Sequence, residues 1–315
     1  MKIEMSLSDS SLGLFSMALA SLFSALMGLA FFLAHQAEPA FSSLTGSFVR
    51  VLTSLFFITF AFLVTQKKST LFYSPLRHRS LWLWGIFGAL TVTTYFSAVP
   101  MIGSGMTALL SASSGVFITA LSPRLAGQAV SPKNWFAVIG SLAGLMLMCK
   151  VGEVGPSAAG FALASTSGFF GGCAYLMIAR RKKDYSGSAI MMTWCAAALL
   201  AHFLLFATFP TIWPSGARAW LLLIGAGCAA SVAQALSAFS FQRAPASSIA
   251  AVGYLSPVLS LVLDVVFLEI HPGLRVSAGA GLVLFFGGLF PFIMRSDHKR
   301  HECAIVRAVS TGSTH

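Results

Sequence analysis

Three ionisable side chains fall inside long apolar stretches of this chain, Arg50, His202 and Asp264, and a fourth, Glu269, lies just beyond the stretch that carries Asp264. In hydrocarbon a guanidinium is a fixed cation that can grip a carboxylate at two points, a carboxyl can trade a proton, and an imidazole titrates near neutrality. Two readings are open for the first pair. Arg50 either snorkels outward and pairs with Asp264 or Glu38 to fix the helices, or it holds a substrate carboxylate, with Asp264 and Glu269 as a gate or proton-coupling group. His202, alone near a span end, is expected to be a satisfied structural residue.

Side chains that could complete a site gather in a few of the same stretches. Thr91, Thr93, Thr94, Tyr95 and Ser97 fall in one, and Ser104, Thr107, Ser111, Ser113 and Ser114 in the next. Ser231, Gln234, Ser237 and Ser240 are followed in the same way by Ser247, Ser248, Tyr254, Ser256 and Ser260. Most serines and threonines in apolar helices bond to their own backbone or across a packed interface, so they are weak candidates. Tyr95, Tyr175, Gln234 and Tyr254 combine reach with a hydrogen-bonding tip, which suits a mostly apolar pocket with a few polar groups. With Arg50 they form the candidate substrate site. Trp82, Trp84, Trp135, Trp213 and Trp220 lie near stretch ends and read as interface anchors. Pro257 should kink or hinge its helix.

No enzyme pattern competes. The chain has no His-Glu-x-x-His, no phosphate-binding loop and no dinucleotide fingerprint, so no catalytic residue, metal site or cofactor is expected. Cys149, Cys173, Cys195, Cys228 and Cys303 lack metal-ligand spacing and read as reduced thiols.

Hydropathy says what must position these residues. Of 315 residues 57% are hydrophobic and 9% charged, with a mean hydropathy of +0.83; a soluble domain carries about 25% charged residues. Apolar runs fall at 12–33, 44–65, 81–99, 103–123, 134–150, 157–179, 188–209, 219–241, 246–268 and 276–294. Each is near the roughly 20 residues a helix needs to cross a bilayer, where backbone polar groups must be satisfied internally. The first run, with no basic stretch before it and no small-residue cleavage site after it, is expected to be a retained span. Two breaks are very short, Val99 to Gly103 and Gln242 to Pro245. Gly140 with Gly144, and Gly168 with Gly171 and Gly172, should let helices pack closely.

With the N-terminus cytoplasmic, 16 of the 20 Lys and Arg residues fall in inside segments and only Lys150, Arg218 and Arg275 outside. That bias orients the chain with both termini in the cytoplasm. The net charge of +11 is therefore spread over helix ends near membrane lipid, not gathered on one face, which excludes nucleic acid as a partner.

The chain also repeats itself. At an offset of 144, Ala18, Leu19, Ala20, Ser21, Gly28 and Ala30 meet Ala162, Leu163, Ala164, Ser165, Gly172 and Ala174. At 143, Phe96, Ser97, Ser104, Ala108, Ser113 and Gly144 meet Phe239, Ser240, Ser247, Ala251, Ser256 and Gly287. Five spans per copy is an odd number, so the second copy enters from the opposite side. The expected fold is all-α integral membrane, ten transmembrane helices as two inverted five-helix repeats, 1–150 and 151–296, with a cytoplasmic tail at 297–315. Such repeats are a carrier signature.

Two five-span copies, the short hinge after the third span of each, the small-residue-rich fourth span and the stretch Leu125 to Trp135 make the chain resemble the EamA-type transporters of the drug/metabolite transporter superfamily. The resemblance implies a central cavity between the first, third, fourth, sixth, eighth and ninth spans, and metabolites such as amino acids as cargo. It places Gln128 where the first copy's Glu would stand, and Glu269 in the second. The expected function is a secondary carrier of a small organic metabolite in the bacterial inner membrane, working by alternating access as a monomer or homodimer, with protons as a candidate coupling ion. The alternative is uptake of S-adenosylmethionine or another nucleotide-like or cationic metabolite. More distant alternatives are a membrane enzyme and a non-transporting membrane partner.

Overall fold

The computed structural model of the chain describes residues 7–65, 79–102, 107, 110–148, 157–180, 187–269 and 271–289. The basic stretches at 67–77 and 181–183, the Gly103–Ser104 hinge and the tail 297–315 lie outside them. Every regular element among the described residues is helical. In chain order these are α1 (Leu7–Ala37), α2 (Ser43–Thr65), α3 (Arg79–Ile102), α4 (Ser114–Leu121), α5 (Pro132–Met148), α6 (Ala158–Arg180), α7 (Gly187–Thr208), α8 (Ala217–Arg243), α9 (Ala246–Gly253), α10 (Leu255–Leu268) and α11 (Leu274–Val283). A π-turn follows α4 at Ser122–Ala126, and another follows α11 at Leu284–Leu289.

Seven helical segments among the described residues are long and apolar enough to cross a membrane. They lie in α1, α2, α3, α6, α7 and α8, and in α9 with α10 taken together. The chain is a multi-pass membrane protein. Among the described residues, the fourth, fifth and tenth expected runs carry shorter helices: α4, the 17-residue α5 and α11.

The packing pairs helices that are distant in sequence. α1 lies along α8 and α3 along α6; α10 packs on α1 and α4 on α6; α2 packs on α8 and α3 on α7; α5 lies on α11. Small residues permit these approaches, as the glycine spacing anticipates. A Cβ at Gly144 would stand 2.8 Å from the Gly279 carbonyl, and one at Gly279 2.6 Å from that of Gly144. Gly168 faces the Leu110 and Ser111 carbonyls, and Gly172 faces Phe117. Without bulky side chains in the way, dispersion between the backbones replaces the hydrophobic drive that lipid does not supply.

The second hinge is where the sequence puts it, since α8 ends at Arg243 and α9 starts at Ala246. α3, however, continues through Pro100 to Ile102, so no turn forms at Val99. The ninth run breaks at Tyr254, three residues before Pro257, which has no N–H to offer the carbonyl one turn back. The fourth run breaks at the comparable place without a proline: Ser113 stands in a turn, with its hydroxyl donating to the Leu110 carbonyl. Trp84 is also not an interface anchor. It is 2% exposed within the largest buried cluster, because α3 is covered there by α7.

Candidate functional site

The start of α2 is fixed by polar contacts to the α7–α8 connection. The Ser42 N–H and the Thr45 hydroxyl both donate to the Ile212 carbonyl, at 3.0 Å each. One turn on, Ser47 meets His202 of antiparallel α7, with Oγ to Nε2 at 2.9 Å. His202 is wholly buried, and its Nδ1 lies 2.7 Å from the Ala198 carbonyl. Because only an N–H can bond that carbonyl, Nδ1 donates and Nε2 accepts the Ser47 hydroxyl proton. Both ring nitrogens are used, so His202 is the structural residue the sequence suggests.

That register fixes the depth of Arg50. With Ser47 opposite His202, Arg50 lies opposite about Leu199, yet its guanidinium carbon lies 5.8 Å from the centre of the Trp194 ring. The side chain therefore leans along α2 toward the level of Trp194, away from the Ser47–His202 pair. Its Nε is buried and has no hydrogen-bond partner. Neither expected carboxylate is seen to meet it. Glu38 instead accepts from the Ser215 N–H and hydroxyl, each at 2.8 Å, and from the Gly216 N–H at 3.0 Å. Those hydrogen bonds hold the Glu38 carboxyl below its ordinary pKa at the N-terminus of α8. Asp264 sits on α10, which packs along α1; its side chain lies outside the described residues.

Neutral groups from three more helices face the guanidinium: Tyr95 of α3, Tyr175 of α6, and Cys195 with Trp194 of α7. Arg50 is thus neighboured by groups of four helices including its own, and its side chain is only partly buried. Tyr175 stacks on Phe241 at 4.5 Å and bonds Ser237 of α8 through its hydroxyl. Gln234 follows Gly227 and Ser231, which touch Thr53 and Ser54 of α2, at helical spacing on one stripe. It therefore lies one turn below the Ser54–Ser231 contact, near the depth of the guanidinium. Tyr95 and Tyr175 neighbour Arg50, while Gln234 lies on the face of α8 that meets α2.

Tyr254 and Glu269 do not join them. Tyr254 is 3% exposed, packed with Val138, Val258 and Val283 across Gly115 of α4. Its hydroxyl is buried without a partner. Glu269 is exposed at the end of α10, in left-handed backbone with φ 53°. At the end of the fourth run the left-handed residue is Gly127, φ 64°, after the π-turn at Ser122–Ala126. Gln128 has another task. Its Oε1 accepts the Ala246 N–H at 2.9 Å, while Asn134 Nδ2 donates to Ser247 Oγ at 2.6 Å. The Leu125–Trp135 stretch thus caps α9.

Trp194 is the residue that sequence reasoning missed. It is the only one of six tryptophans away from a run end, and that position was the available signal. Most of the serines and threonines satisfy a carbonyl one turn back, as Thr91, Thr93, Thr94 and Ser231 do.

Residues 158–293 match the EamA-like transporter family. No curated protein matches. A solved structure described only as a protein superposes with a TM-score of 0.75 at 20% identity, over 92% of this chain and 98% of its own. That likeness is one of fold.

Proposed function

Because its second half makes the chain a member of the EamA-type drug/metabolite transporter superfamily, we propose that it is a secondary carrier that moves a small organic metabolite past Arg50 by alternating access. The family is one of transporters. The observation that carries the reading is an arginine whose buried Nε has no partner, among helices of both halves of the chain. A charge in that position is costly, by roughly 2.5–3.5 kcal/mol at a span centre, and a bound anionic group offsets the cost.

The architecture proposed for this movement is ten spans in two inverted repeats, 1–150 and 151–296, with both termini cytoplasmic. The helix pairings support it. Replacing every helix by the one five spans along turns the α1–α8 contact into α6–α3, α1–α10 into α6–α4, and α2–α8 into α7–α3, all of which occur. Rocking one set against the other would expose Arg50 to each side in turn. Arg50 holds an acidic group of the solute, Tyr95, Tyr175 and Gln234 orient the rest, and Asp264 and Glu269 act in gating or proton coupling toward the outer side. Amino acids and related compounds head the solute panel by analogy of fold.

The test is flux in proteoliposomes across amino acids, organic acids, nucleotides and S-adenosylmethionine, with and without a proton gradient. Saturable flux of one class that is lost in Arg50→Ala is expected. No saturable flux of any solute, from protein with an intact melting transition, would overturn the carrier reading.

A further inference from the structure

We infer that the Leu125–Trp135 connection is a latch: Gln128 and Asn134 hold the start of α9 and must let go whenever this end of the bundle opens. The inference rests on the carrier reading and adds to it a closure at the end of the α9–α10 span away from Asp264 and Glu269. Its chemistry begins with Pro245, the residue before α9, which has no side-chain acceptor to offer the helix. The Ser248 and Ile249 N–H groups bond back to the Pro245 carbonyl at 3.1 Å, but the Ala246 N–H has its acceptor 118 residues away, in Gln128 Oε1 at 2.9 Å. Beside it Asn134 Nδ2 donates to Ser247 Oγ at 2.6 Å.

Both bonds cross between helices that pack in different groups. α9 and α10 lie on α1, which lies along α8; α4, which leads into the connection, lies on α6, which lies along α3. The two groups face each other where α9 meets α4. Leu121 of α4, with Leu125 and Ala126 of the connection, packs against the buried cluster that includes Leu14, Ala244 and Ala246. Alternating access at this end means parting the two groups. A bond inside one group, such as Ser54 to Ser231 between α2 and α8, survives that movement; the two bonds from the connection to α9 do not.

The bonding suits a contact that is made and broken. Ala246 and Ser247 are buried, so in the closed arrangement the Ala246 N–H needs Gln128, because a buried donor left without an acceptor is costly. Once the end opens, water reaches the same N–H and takes the place of the amide. Both bonds join neutral groups, and a neutral hydrogen bond exchanged for one to water has a small net strength. A carboxylate would hold the helix N-terminus more tightly than the Gln128 amide does. The tie at the opposite end is of that stronger kind: the Glu38 carboxylate accepts from Ser215 and Gly216. It joins the end of α1 to the start of α8, two helices of one group, and has no need to open.

Asn134→Cys combined with Ser247→Cys puts two thiols where the 2.6 Å contact now stands. In full-length protein in liposomes, bridging them with a short bis-methanethiosulfonate linker is expected to abolish saturable flux of whichever panel solute moves, and reduction of the linker to restore it. Wild type given the same linker should transport as before. Undiminished flux through the fully bridged pair would overturn the latch and leave the carrier standing. Gln128→Ala reads the same event without a solute. Hydrogen exchange at the start of α9 should rise about tenfold, the scale of one hydrogen bond, while exchange in the middle of α8 and the melting transition stay as they are. Exchange at α9 equal to that of wild type would also overturn the latch, as would a rise shared with α8, the mark of general loosening. Absence of flux for every solute in untreated wild type would overturn the carrier reading, and the latch with it.

Discussion

Arg50 and His202 sit within a turn of each other on the α2–α7 interface, and the protein treats them in opposite ways. His202 has both nitrogens bonded and no exposed surface, so its polarity is used up by Ser47 and Ala198. Arg50 leans away from that closed pair toward Trp194, leaves Nε without a partner and stays only partly buried. Packing can satisfy a polar group in a membrane, and at His202 it does. The unfinished bonding at Arg50 therefore marks it as the place reserved for something that binds from outside the protein.

The strongest way to break this contrast is to remove each side chain and read flux and stability separately. Arg50→Ala is expected to cost transport about 30- to 150-fold in KM, the equivalent of roughly 2–3 kcal/mol for a charged hydrogen bond. Its melting temperature in detergent should hold or rise, because an unpaired buried charge is gone. His202→Leu should do the reverse, losing roughly 1–3 kcal/mol of stability by orphaning the Ser47 hydroxyl, with flux per folded molecule unchanged. A fall in melting temperature for Arg50→Ala equal to that for His202→Leu would show that both are structural.

A second test reaches Arg50 through Trp194 alone. Gly88 of α3 lies so close to the Trp194 indole that an added Cβ would clash with its Cδ1 and stand 2.6 Å from its Nε1. Gly88→Ala must therefore turn the indole that lies beside the guanidinium. A cation–π contact is worth about 0.5–2 kcal/mol, so solute affinity should change a few-fold in Gly88→Ala and in Trp194→Leu, less than in Arg50→Ala. An unchanged KM in both variants would detach Trp194 from the site.

How much of this was legible in the sequence differs between the same two residues. An arginine in an apolar run is visible to anyone, and so is the membrane class, because hydropathy acts locally. The direction of the Arg50 side chain was not. It depends on the α2–α7 register, set by Ser47 meeting a histidine 155 residues away. Glu38 was misassigned to Arg50 for a related reason. Its partners are the free N–H groups of Ser215 and Gly216, and backbone donors leave no mark in a residue pattern. By contrast Pro257, the glycine contacts and the Gln242–Pro245 hinge could be read directly, since each depends on backbone chemistry of nearby residues.

The smallest effect expected concerns Glu38, the carboxylate that the structure removes from the Arg50 account. Its hydrogen bonds to Ser215 and Gly216 favour the ionised form and lower its pKa. A carboxyl whose folded pKa lies below its unfolded value contributes its stability above the unfolded pKa, about 4.3. That contribution is lost as pH falls through the lower, folded pKa. Melting temperature should therefore carry the full Glu38 contribution, without any pH dependence from it, between pH 8 and pH 5 and should decline only in more acid solution. Glu38→Gln should flatten that acid decline and leave the pH dependence of flux near neutrality as it was. If Glu38→Gln instead shifted flux between pH 6 and 8, this outer cap would be part of the transport cycle, and Arg50 would no longer be sufficient to account for the charge that matters.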